Sequence, residues 1–415
     1  MPAQTPSPRS SRRLRLAYLV SHPIQYQAPL LRRIAQEEDI DLTVFFGSGF
    51  SLRNYADKGF GVDVKWDTPL LEGYKHEFLP VLLDNATVST TRPLNRGILR
   101  HLKGRNGEPA FDALWLHGYA SLNSIQAMLA AKALGIPVLL RAEPWLSDRP
   151  RSRTKLLAKK LFFHGLKHCI AGALPIGTLN RAYWRHYLGD QLPLWTVPYA
   201  VDNRYFQQRS QQARAGRAEL QAELDLAPSR PVILFASKLQ TRKRCIDLLE
   251  AYLALAPAPG VEPHPYLVIV GDGEERARLE RCAAASGLHS IRFCGFRNQS
   301  ELPRFFDLAS VFVLPSRHEP WGLIVNEVMN AGKPVILSDD VGCHPDLLSD
   351  GVEGCLFPAG DVAALTQALR RVLETPGTAE AMGRRALARM RHWNFEADVR
   401  GLRQALACIT RKILP

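Results

Sequence analysis

The stretch VFVLPSRHEPWGLIVNEVMNAGKPVILSD, residues 311–339, contains the pattern that sets the fold. VFVLP and PVILSD are continuous apolar runs rich in β-branched residues, which is typical of strands covered on both faces of a parallel sheet. GLIVNEVMNAG lies between them and suits a short helix. Pro320 and Gly322 place the start of that helix after Glu319. The stretch therefore predicts a strand, a loop, a helix and a second strand.

The alternation of strands and helices continues on both sides of this stretch. It includes PVILFAS, YLVIVGDG and IRFCGF in the second half, and LRLAYLV, IDLTVFF, FDALWLHG and IPVLLRAE in the first. Two consecutive series predict two doubly wound α/β domains, with ligands where the carboxyl ends of both sheets meet. We therefore predict a disordered tail at 1–13, an N-terminal domain at 14–205, a linker region at 206–229 and a C-terminal domain at 230–389.

Size and composition limit the class of protein. A chain of 415 residues is longer than a single hydrophobic core usually supports, which predicts two domains. A content of 46% hydrophobic and 22% charged residues is typical of a soluble globular protein. The seven cysteines form no CxxC pair, which disfavours a disulfide framework or a zinc site. No apolar run reaches the roughly eighteen residues needed to span a bilayer. We expect a cytoplasmic protein.

The positive charge is concentrated in the first half of the chain. Of the formal net charge of +13, residues 1–200 carry an excess of 11 and residues 201–415 an excess of 2. The densest basic segment is 149–168, RPRSRTKLLAKKLFFHGLKH. This segment indicates either an ordinary solvated helix face or a surface that binds anionic lipid headgroups. Nucleic acid is disfavoured, because the sequence has no motif of the common nucleic-acid-binding folds.

Several common catalytic motifs are missing from the sequence. It has no GxxxxGK[ST] loop and no GxGxxG after the first strand, so an NTPase or a dinucleotide oxidoreductase has no motif to support it. It also has no GxSxG elbow and no HExxH helix. Asp39 and Asp41 form one Asp-x-Asp pair where a helix ends and a strand begins, which favours a solvated turn. We expect no metal site.

Candidate ligand-binding loops follow the strands of the second half. Lys238 and Lys243 lie in SKLQTRKR, directly after a strand, where two cations can neutralise a diphosphate or simply form a basic loop. Gly271 opens a Gly-Asp-Gly turn after the next strand, a weakly specific feature. After a third strand, main-chain groups of Phe296 and Arg297 can hydrogen-bond a flat base.

The helix start in the opening stretch completes this set. Gly322 permits a close approach, and the amides of Leu323 and Ile324 open a helix whose positive end favours phosphate. Glu319 precedes that end and Glu327 projects more than a turn later, so each acid suits hydroxyls on one side of the phosphates. A nucleotide sugar has this layout, with sugar hydroxyls on one side of a diphosphate and ribose hydroxyls on the other.

These residues resemble the retaining glycosyltransferases of family 4, which have the GT-B fold of two facing Rossmann-like domains. The similarity is strongest over 230–372, where HEPWGLIVNE follows the family's Glu-x7-Glu motif and SKLQTRKR its lysine segment. The first half is similar through SHPIQYQAPL, WLHGY and VPYAVD. HWNFEADVRGLRQAL resembles the helix that crosses back to the first domain, which implies that about 390–415 rejoin it.

The resemblance implies roles for the donor-binding residues. Glu319 would contact hydroxyls of the transferred sugar, and Glu327 the ribose. Lys238 and Lys243 would bind the diphosphate, although the family more often has arginine at the position of Lys238.

The remaining roles concern backbone groups and the first domain. The amides near Leu323 and Ile324 would hold the phosphates, and backbone groups at Phe296 and Arg297 would receive the base. His117, at the end of a first-domain strand, is similar to the family's histidine near the reacting sugar, or it is a buried structural histidine.

The first loop departs from the family pattern. SHPIQYQ lacks the glycine pair that many members use, and His22 and Gln25 stand in its place on the acceptor side.

The resemblance implies transfer of a sugar from a nucleotide sugar to an acceptor hydroxyl with retention of configuration. We expect no metal and no other cofactor, because lysines and the helix start supply the positive charge. The acceptor is expected to be a glycan or lipid-linked saccharide at the cytoplasmic membrane face, in polysaccharide or glycolipid assembly. The alternatives are a non-hydrolysing nucleotide-sugar epimerase and a silent partner subunit that binds the donor.

Overall fold

The structure is a computed structural model, and it describes residues 13–57, 59–84, 87–104, 106–255 and 264–411. The disordered tail predicted for 1–13 lies outside the described residues, except for Arg13. In the described part of the chain, no helix is both long enough and apolar enough to cross a bilayer.

The N-terminal domain is built on a six-stranded parallel sheet. The strands of the whole domain, in chain order, are β1 (Leu14–Val20), β2 (Ile40–Phe46), β3 (Tyr55–Asp57), β4 (Val62–Val64), β5 (Lys75–Phe78), β6 (Val81–Leu83), β7 (Leu94–Asn95), β8 (Ala113–His117), β9 (Val138–Arg141) and β10 (Gly172–Ala173). The sheet order is β10-β9-β8-β1-β2-β5, while β3 pairs with β4 and β6 with β7 in two small antiparallel sheets. The helices of this domain are α1 (Ala28–Ala35), α2 (Ile98–Leu102), α3 (Leu122–Ala133), α4 (Arg153–Leu166) and α5 (Thr178–Leu188).

The C-terminal domain repeats this architecture. Its strands are β11 (Val232–Ala236), β12 (Tyr266–Val270), β13 (Ile291–Phe293), β14 (Val311–Leu314), β15 (Val335–Ser338) and β16 (Gly354–Phe357), in the parallel order β13-β12-β11-β14-β15-β16. Its helices are α6 (Asn203–Ala213), α7 (Arg217–Glu223), α8 (Cys245–Leu253), α9 (Arg276–Ala285), α10 (Leu302–Leu308), α11 (Leu323–Asn330), α12 (His344–Leu347), α13 (Val362–Leu373) and α14 (Thr378–Met390), and the helix α15 (Phe395–Arg411) follows them. The two doubly wound sheets confirm the predicted fold class.

The predicted strand–helix–strand unit at 311–339 forms β14, α11 and β15. The central strands of this sheet are completely buried and apolar except for Ser338 at the end of β15, because helices cover both faces. The segment predicted as a linker region, 206–229, contains most of α6 and all of α7. Phe206 and Leu220 of these helices are buried in the core of the second sheet. The segment therefore packs as part of the C-terminal domain.

The last helix returns to the first domain, as predicted. Val399, Leu402, Leu406 and Ile409 of α15 are buried against the core of the first sheet. Each such apolar side chain contributes on the order of 1.5–3 kcal/mol when fully buried. The crossing helix therefore ties the end of the chain firmly to the N-terminal domain.

Direct contacts join the two domains across the cleft between them. The indole Nε1 of Trp145 donates to the carbonyl of Glu319 at 3.2 Å. The amide and hydroxyl of Thr178, at the start of α5, donate to the Asp346 carboxylate at 2.9 and 2.7 Å. These contacts set the carboxyl edge of the first sheet against the loop that carries Glu319.

Candidate functional site

The start of α11 is an open positive helix end. Gly322 has φ of 92°, a left-handed conformation that favours glycine, and an added Cβ would lie 3.1 Å from Leu314 Cδ2. No side chain caps this helix. The amides of Leu323 and Ile324 have no hydrogen-bond acceptor among the described residues. Unsatisfied amides at a helix start attract an anion, as the sequence predicts.

Glu319 and Lys243 form a buried ion pair beside this helix start. Each residue is only 7% exposed, and the Lys243 Nζ donates directly to Glu319 Oε2. Burial lowers the pKa of Lys243, although the charge of Glu319 opposes that shift. The neighbouring Arg242 reaches the same oxygen at 3.3 Å. Lys243 and Glu319, predicted from separate motifs, therefore meet at one point of the cleft, and Arg242, which sequence reasoning did not single out, joins them.

The backbone holds Glu319 rigidly in place. Its amide donates to the carbonyl of Asp340 at 3.1 Å, and its carbonyl accepts from the amide of Gly342 at 2.9 Å. A Cβ at Gly342 would lie 2.0 Å from the carbonyl oxygen of Pro320, so this close approach excludes any side chain. The loop before α11 is consequently fixed to the loop after β15.

Glu327 lies about one turn inside α11 and is 8% exposed. Burial raises the pKa of this carboxyl to about 8. No ion pair with Glu327 occurs within the described ranges, which leaves it neutral or only partly charged at neutral pH. Such a group can both donate to and accept from the hydroxyls of a ribose.

Lys238 and Phe296 are covered by a segment of the first domain. We call residues 55–57 and 59–67, which comprise β3, β4 and the chain after them, the cleft strap. Its Asp57 Oδ1 lies 2.7 Å from Lys238 Nζ, and the ring of Phe60 lies 4.7 Å from the ring of Phe296 in an edge-to-face arrangement. The sequence carried no recognisable signal for this segment, because its contacts join loops far apart in the chain.

Gly271 and the side chain of Arg297 make contacts that hold the loops beside Lys238 and Phe296 in place. Gly271 has φ of 134°, its amide donates to the carbonyl of Gly295 at 2.8 Å, and an added Cβ would lie 1.9 Å from the carbonyl oxygen of Ser237. The Arg297 side chain contacts its own domain, with Nε donating to the carbonyl of Cys294 at 3.1 Å. Only the backbone of Arg297 therefore remains for the predicted contact with a base.

His117 belongs to a buried polar cluster at the end of β8. Its Nε2 lies 3.0 Å from Gln27 Nε2 and 3.7 Å from Glu143 Oε1. The same Glu143 oxygen accepts from the hydroxyls of Tyr199 at 2.5 Å and Tyr26 at 3.3 Å. Burial alone would raise the pKa of Glu143, but His117 and the two tyrosines lower it overall. Glu143 is therefore a partly exposed carboxylate, with 32% of its side chain accessible, that stays ionised.

Gln27, at the end of the first loop, contacts His117, and sequence reasoning did not single out this residue. His22 Nδ1 lies 2.9 Å from the Ser21 hydroxyl, and its ring packs 4.6 Å from Phe50. Burial lowers the pKa of His22 to about 4, so the ring is neutral. Gln25 makes no side-chain hydrogen bond within the described residues. Gln27 directly precedes α1 and is buried, where its Oε1 also accepts from the Tyr18 hydroxyl at 2.7 Å. The acceptor-side role expected for His22 and Gln25 stays a prediction.

A cavity of about 800 Å³ extends from His117 into the first domain. His117, Glu143 and Pro320, the residue after Glu319, line its inner end. Arg149, Lys159 and other residues near α4 line its outer part. The cavity thus joins the Glu319 site to the basic segment predicted at 149–168. Among the described residues, no group of three or more His, Cys, Asp or Glu side chains is arranged to hold a metal ion.

Comparisons with known proteins show what this chain is similar to. Residues 216–389 match the family described as glycosyl transferases group 1. The chain is 27% identical over 262 residues to alpha-D-kanosaminyltransferase of Streptomyces kanamyceticus, covering 62% of this chain and 67% of that protein. It is 32% identical over 206 residues to D-inositol 3-phosphate glycosyltransferase of Streptomyces bingchenggensis, covering 48% of this chain and 44% of that protein.

A solved structure extends the likeness over the whole chain. HepE of Anabaena, crystallised in complex with UDP and glucose, is similar with a TM-score of 0.70 and 15% sequence identity, covering 95% of this chain and all of that one. At this identity the likeness concerns the fold. The sequence alignments with the two Streptomyces proteins, in contrast, leave a third to over half of each of those proteins unmatched.

Proposed function

Because this chain is a glycosyltransferase of the GT-B fold, with residues 216–389 belonging to the group 1 glycosyl transferases, we propose that it moves a sugar from a nucleotide sugar to an acceptor hydroxyl with retention of configuration. The observation that carries the proposal is the buried Lys243–Glu319 pair at the open start of α11, directly before Pro320, which lines the His117 cavity. Positive charge, the acid proposed to bind the sugar and the cavity proposed for the acceptor are therefore neighbours, which supports the proposal.

The proposed reaction uses these groups to stabilise the departing diphosphate. Lys243, Lys238 and the α11 amides would bind its oxygens, and this positive charge lowers the barrier as negative charge develops. The bond from the sugar C1 to the phosphate oxygen breaks, with its electron pair going to the diphosphate. The acceptor oxygen bonds to C1 on the same face, and its proton passes to the departing phosphate oxygen. The cations already present supply the charge that a metal would otherwise bring, so we propose catalysis without metal or cofactor.

The proposed donor is a nucleotide sugar. Glu319 would accept hydrogen bonds from hydroxyls of the transferred sugar, and Glu327 would contact the ribose. The presence of UDP in the HepE complex supports a nucleoside diphosphate in this fold. Phe296, at the start of the loop after β13, would lie against the base.

The proposed acceptor is a lipid-linked saccharide or related glycan. The cavity leads from His117 towards Arg149, Arg151 and Lys159, whose charge suits a phosphate or diphosphate between saccharide and lipid. On α4, Leu157 is 61% exposed and Leu161 is 68% exposed, next to lysines of the same helix. Exposed leucines among lysines are typical of helices that lie on an anionic membrane surface. We therefore propose peripheral binding to the cytoplasmic face of the membrane through 149–168.

Turnover of nucleotide sugars tests the enzymatic proposal. We expect Glu319→Gln and Lys243→Ala to lower turnover by about 100- to 1,000-fold, the usual effect of removing one group that stabilises transition-state charge. The control Glu374→Gln changes an exposed acid of the same domain and should keep full activity. Wild-type rates in both site variants would contradict the site. A changed sugar in acceptor-free buffer would instead identify an epimerase, and binding without turnover a silent subunit.

Co-sedimentation with vesicles tests the membrane proposal separately. We expect Leu157→Asp/Leu161→Asp to lose binding to vesicles that contain phosphatidylglycerol, because two charges replace the exposed apolar surface. Val352→Asp, at an exposed position of the other domain, is the matched control. Vesicle binding that does not depend on the content of anionic lipid, or that is unchanged in the double variant, would exclude residues 149–168 as the membrane-binding surface.

A further inference from the structure

The cleft strap makes several contacts across the cleft, all to loops of the predicted donor site. In addition to the Asp57–Lys238 and Phe60–Phe296 contacts, the side-chain amide of Asn298 donates to the carbonyl of Lys65 at 2.7 Å. The backbone amide of Ser300 donates to the carboxylate of Asp67 at 3.3 Å. The strap therefore covers the lysine loop after β11 and the loop after β13 at the same time.

The strap presents the two chemical groups of a nucleoside diphosphate. Asp57 places an anion on Lys238, where a phosphate oxygen is expected, and Phe60 places a flat aromatic ring on Phe296, where a base is expected. The Lys238 Nζ also lies 4.6 Å from the centre of the Phe60 ring, a favourable cation–π contact. Both elements of the nucleotide site are thus satisfied by the chain itself.

The geometry of the strap keeps its anion ready for this contact. The amides of Gly59 and Phe60 donate to Asp57 Oδ1 at 2.8 and 3.1 Å. Burial by itself raises the pKa of Asp57, but Lys238 and these amides lower it overall, so the group is an ionised carboxylate. Space is tight, since a Cβ at Gly59 would lie 2.7 Å from Lys238 Cδ, and a Cβ at Gly273 would lie 3.0 Å from the Gly59 carbonyl oxygen.

We propose that the cleft strap is an intramolecular competitor of the donor, which occupies Lys238 and Phe296 until a nucleoside diphosphate group displaces it. The ligand class rests on the proposed function; the competition itself rests on the contacts above. Asp57 and a phosphate cannot share the Lys238 ammonium without bringing two anions together. Donor binding therefore has to break the strap contacts, and the apparent affinity is reduced by the population of the strapped state.

Binding of UDP, GDP, ADP and inorganic pyrophosphate to the full chain, measured by calorimetry, tests the competition. We expect Asp57→Asn to bind pyrophosphate and the preferred nucleotide about 3- to 10-fold more tightly than the wild type. The ligand then no longer has to break the partly buried Asp57–Lys238 ion pair, which is worth on the order of 1 kcal/mol. Phe60→Ala should tighten nucleotide binding while leaving pyrophosphate affinity closer to that of the wild type. Asp63→Asn is the matched control, since it changes an acid of the same hairpin whose side chain contacts Asn54 of the same domain.

The outcomes separate this inference from the proposed function. Unchanged or weaker nucleotide binding in both strap variants, with normal binding by the wild type, would overturn the competition and leave the donor site intact. Weaker binding in Phe60→Ala alone would show that the strap adds contacts to the bound base, which also overturns it. A chain whose wild type and variants bind none of the four ligands would overturn the donor site, and the inference with it.

Discussion

The Lys243–Glu319 pair yields the sharpest prediction, because the same two charges act on stability and on turnover. Lys243→Met leaves the Glu319 carboxylate buried, with only the partly exposed Arg242 at 3.3 Å to balance it. Breaking a buried ion pair from one side typically costs about 3–5 kcal/mol, and Arg242 places the expected loss near the lower end, about 3 kcal/mol. In the double variant Lys243→Met/Glu319→Gln both charges are gone, so the free energy of unfolding should recover to within about 1–2 kcal/mol of the wild type.

The assay is a double-mutant cycle by urea unfolding, followed in parallel by circular dichroism and tryptophan fluorescence. We expect a coupling of about 2 kcal/mol between the two positions. Arg276→Met and Glu280→Gln provide the control cycle, since their more exposed pair, 2.8 Å apart, should couple by less than about 0.5 kcal/mol. Turnover should stay about 100- to 1,000-fold reduced in the double variant, because recovered stability does not restore the charges that bind the donor. Additive stability effects at 243 and 319, or recovery of turnover with stability, would refute this reasoning.

Three further predictions follow from other parts of the site. Glu327, with a folded pKa of about 8 against an ordinary value of 4.5, contributes fully to stability below about pH 4.5 and loses on the order of 4 kcal/mol as the pH rises through 8. Glu327→Gln should therefore unfold much like the wild type at pH 5 and be clearly more stable at pH 8.5 in chemical denaturation; equal stability at both pH values would contradict the burial argument. Gly322→Ala should weaken pyrophosphate binding about 10-fold in calorimetry, since φ of 92° strains alanine and its Cβ would press on Leu314; unchanged affinity would show that phosphate does not use this helix start. Glu143→Gln should leave nucleotide affinity unchanged and lower transfer about 10-fold or more, because the ionised carboxylate beside His117 lines the cavity proposed for the acceptor; a parallel fall in nucleotide affinity would assign Glu143 to the donor side.

Much of the C-terminal site was predictable because its residues are close in the chain or follow regular strands. The helix start after Gly322, with Glu319 before it and Glu327 inside it, depends on local backbone preferences that a single segment encodes. The parallel sheets follow from continuous apolar runs, since such strands must be covered on both faces. The prediction of a linker at 206–229 rested on the polar composition of this segment and did not foresee that its helices pack on the C-terminal domain. One buried residue per helix, such as Phe206 or Leu220, is enough to anchor a polar helix.

The first-domain side of the cleft shows where the pattern of residues carries no such information. SHPIQYQ contains several candidate polar side chains, and only the position of the first turn of α1 brings Gln27, instead of His22 or Gln25, to His117. Glu143 is one acid among many in the sequence. Its character as an ionised carboxylate arises from Tyr26, Tyr199 and His117, which three separate segments supply.

The order of residues was thus sufficient for two doubly wound domains and for a helix start after Gly322, because periodicity and backbone preference act over a few neighbouring positions. The crossing C-terminal helix was implied by the family resemblance. The pairing of Lys243 with Glu319 follows only from the folding of the C-terminal domain, which brings together residues 76 positions apart. The cover of Lys238 by Asp57, 181 positions away, and the lining of one cavity by His117 and Pro320 follow only from the arrangement of the two domains. Burial sets the charges of these residues, and no local pattern in the sequence records which distant loops the folded sheets bring together.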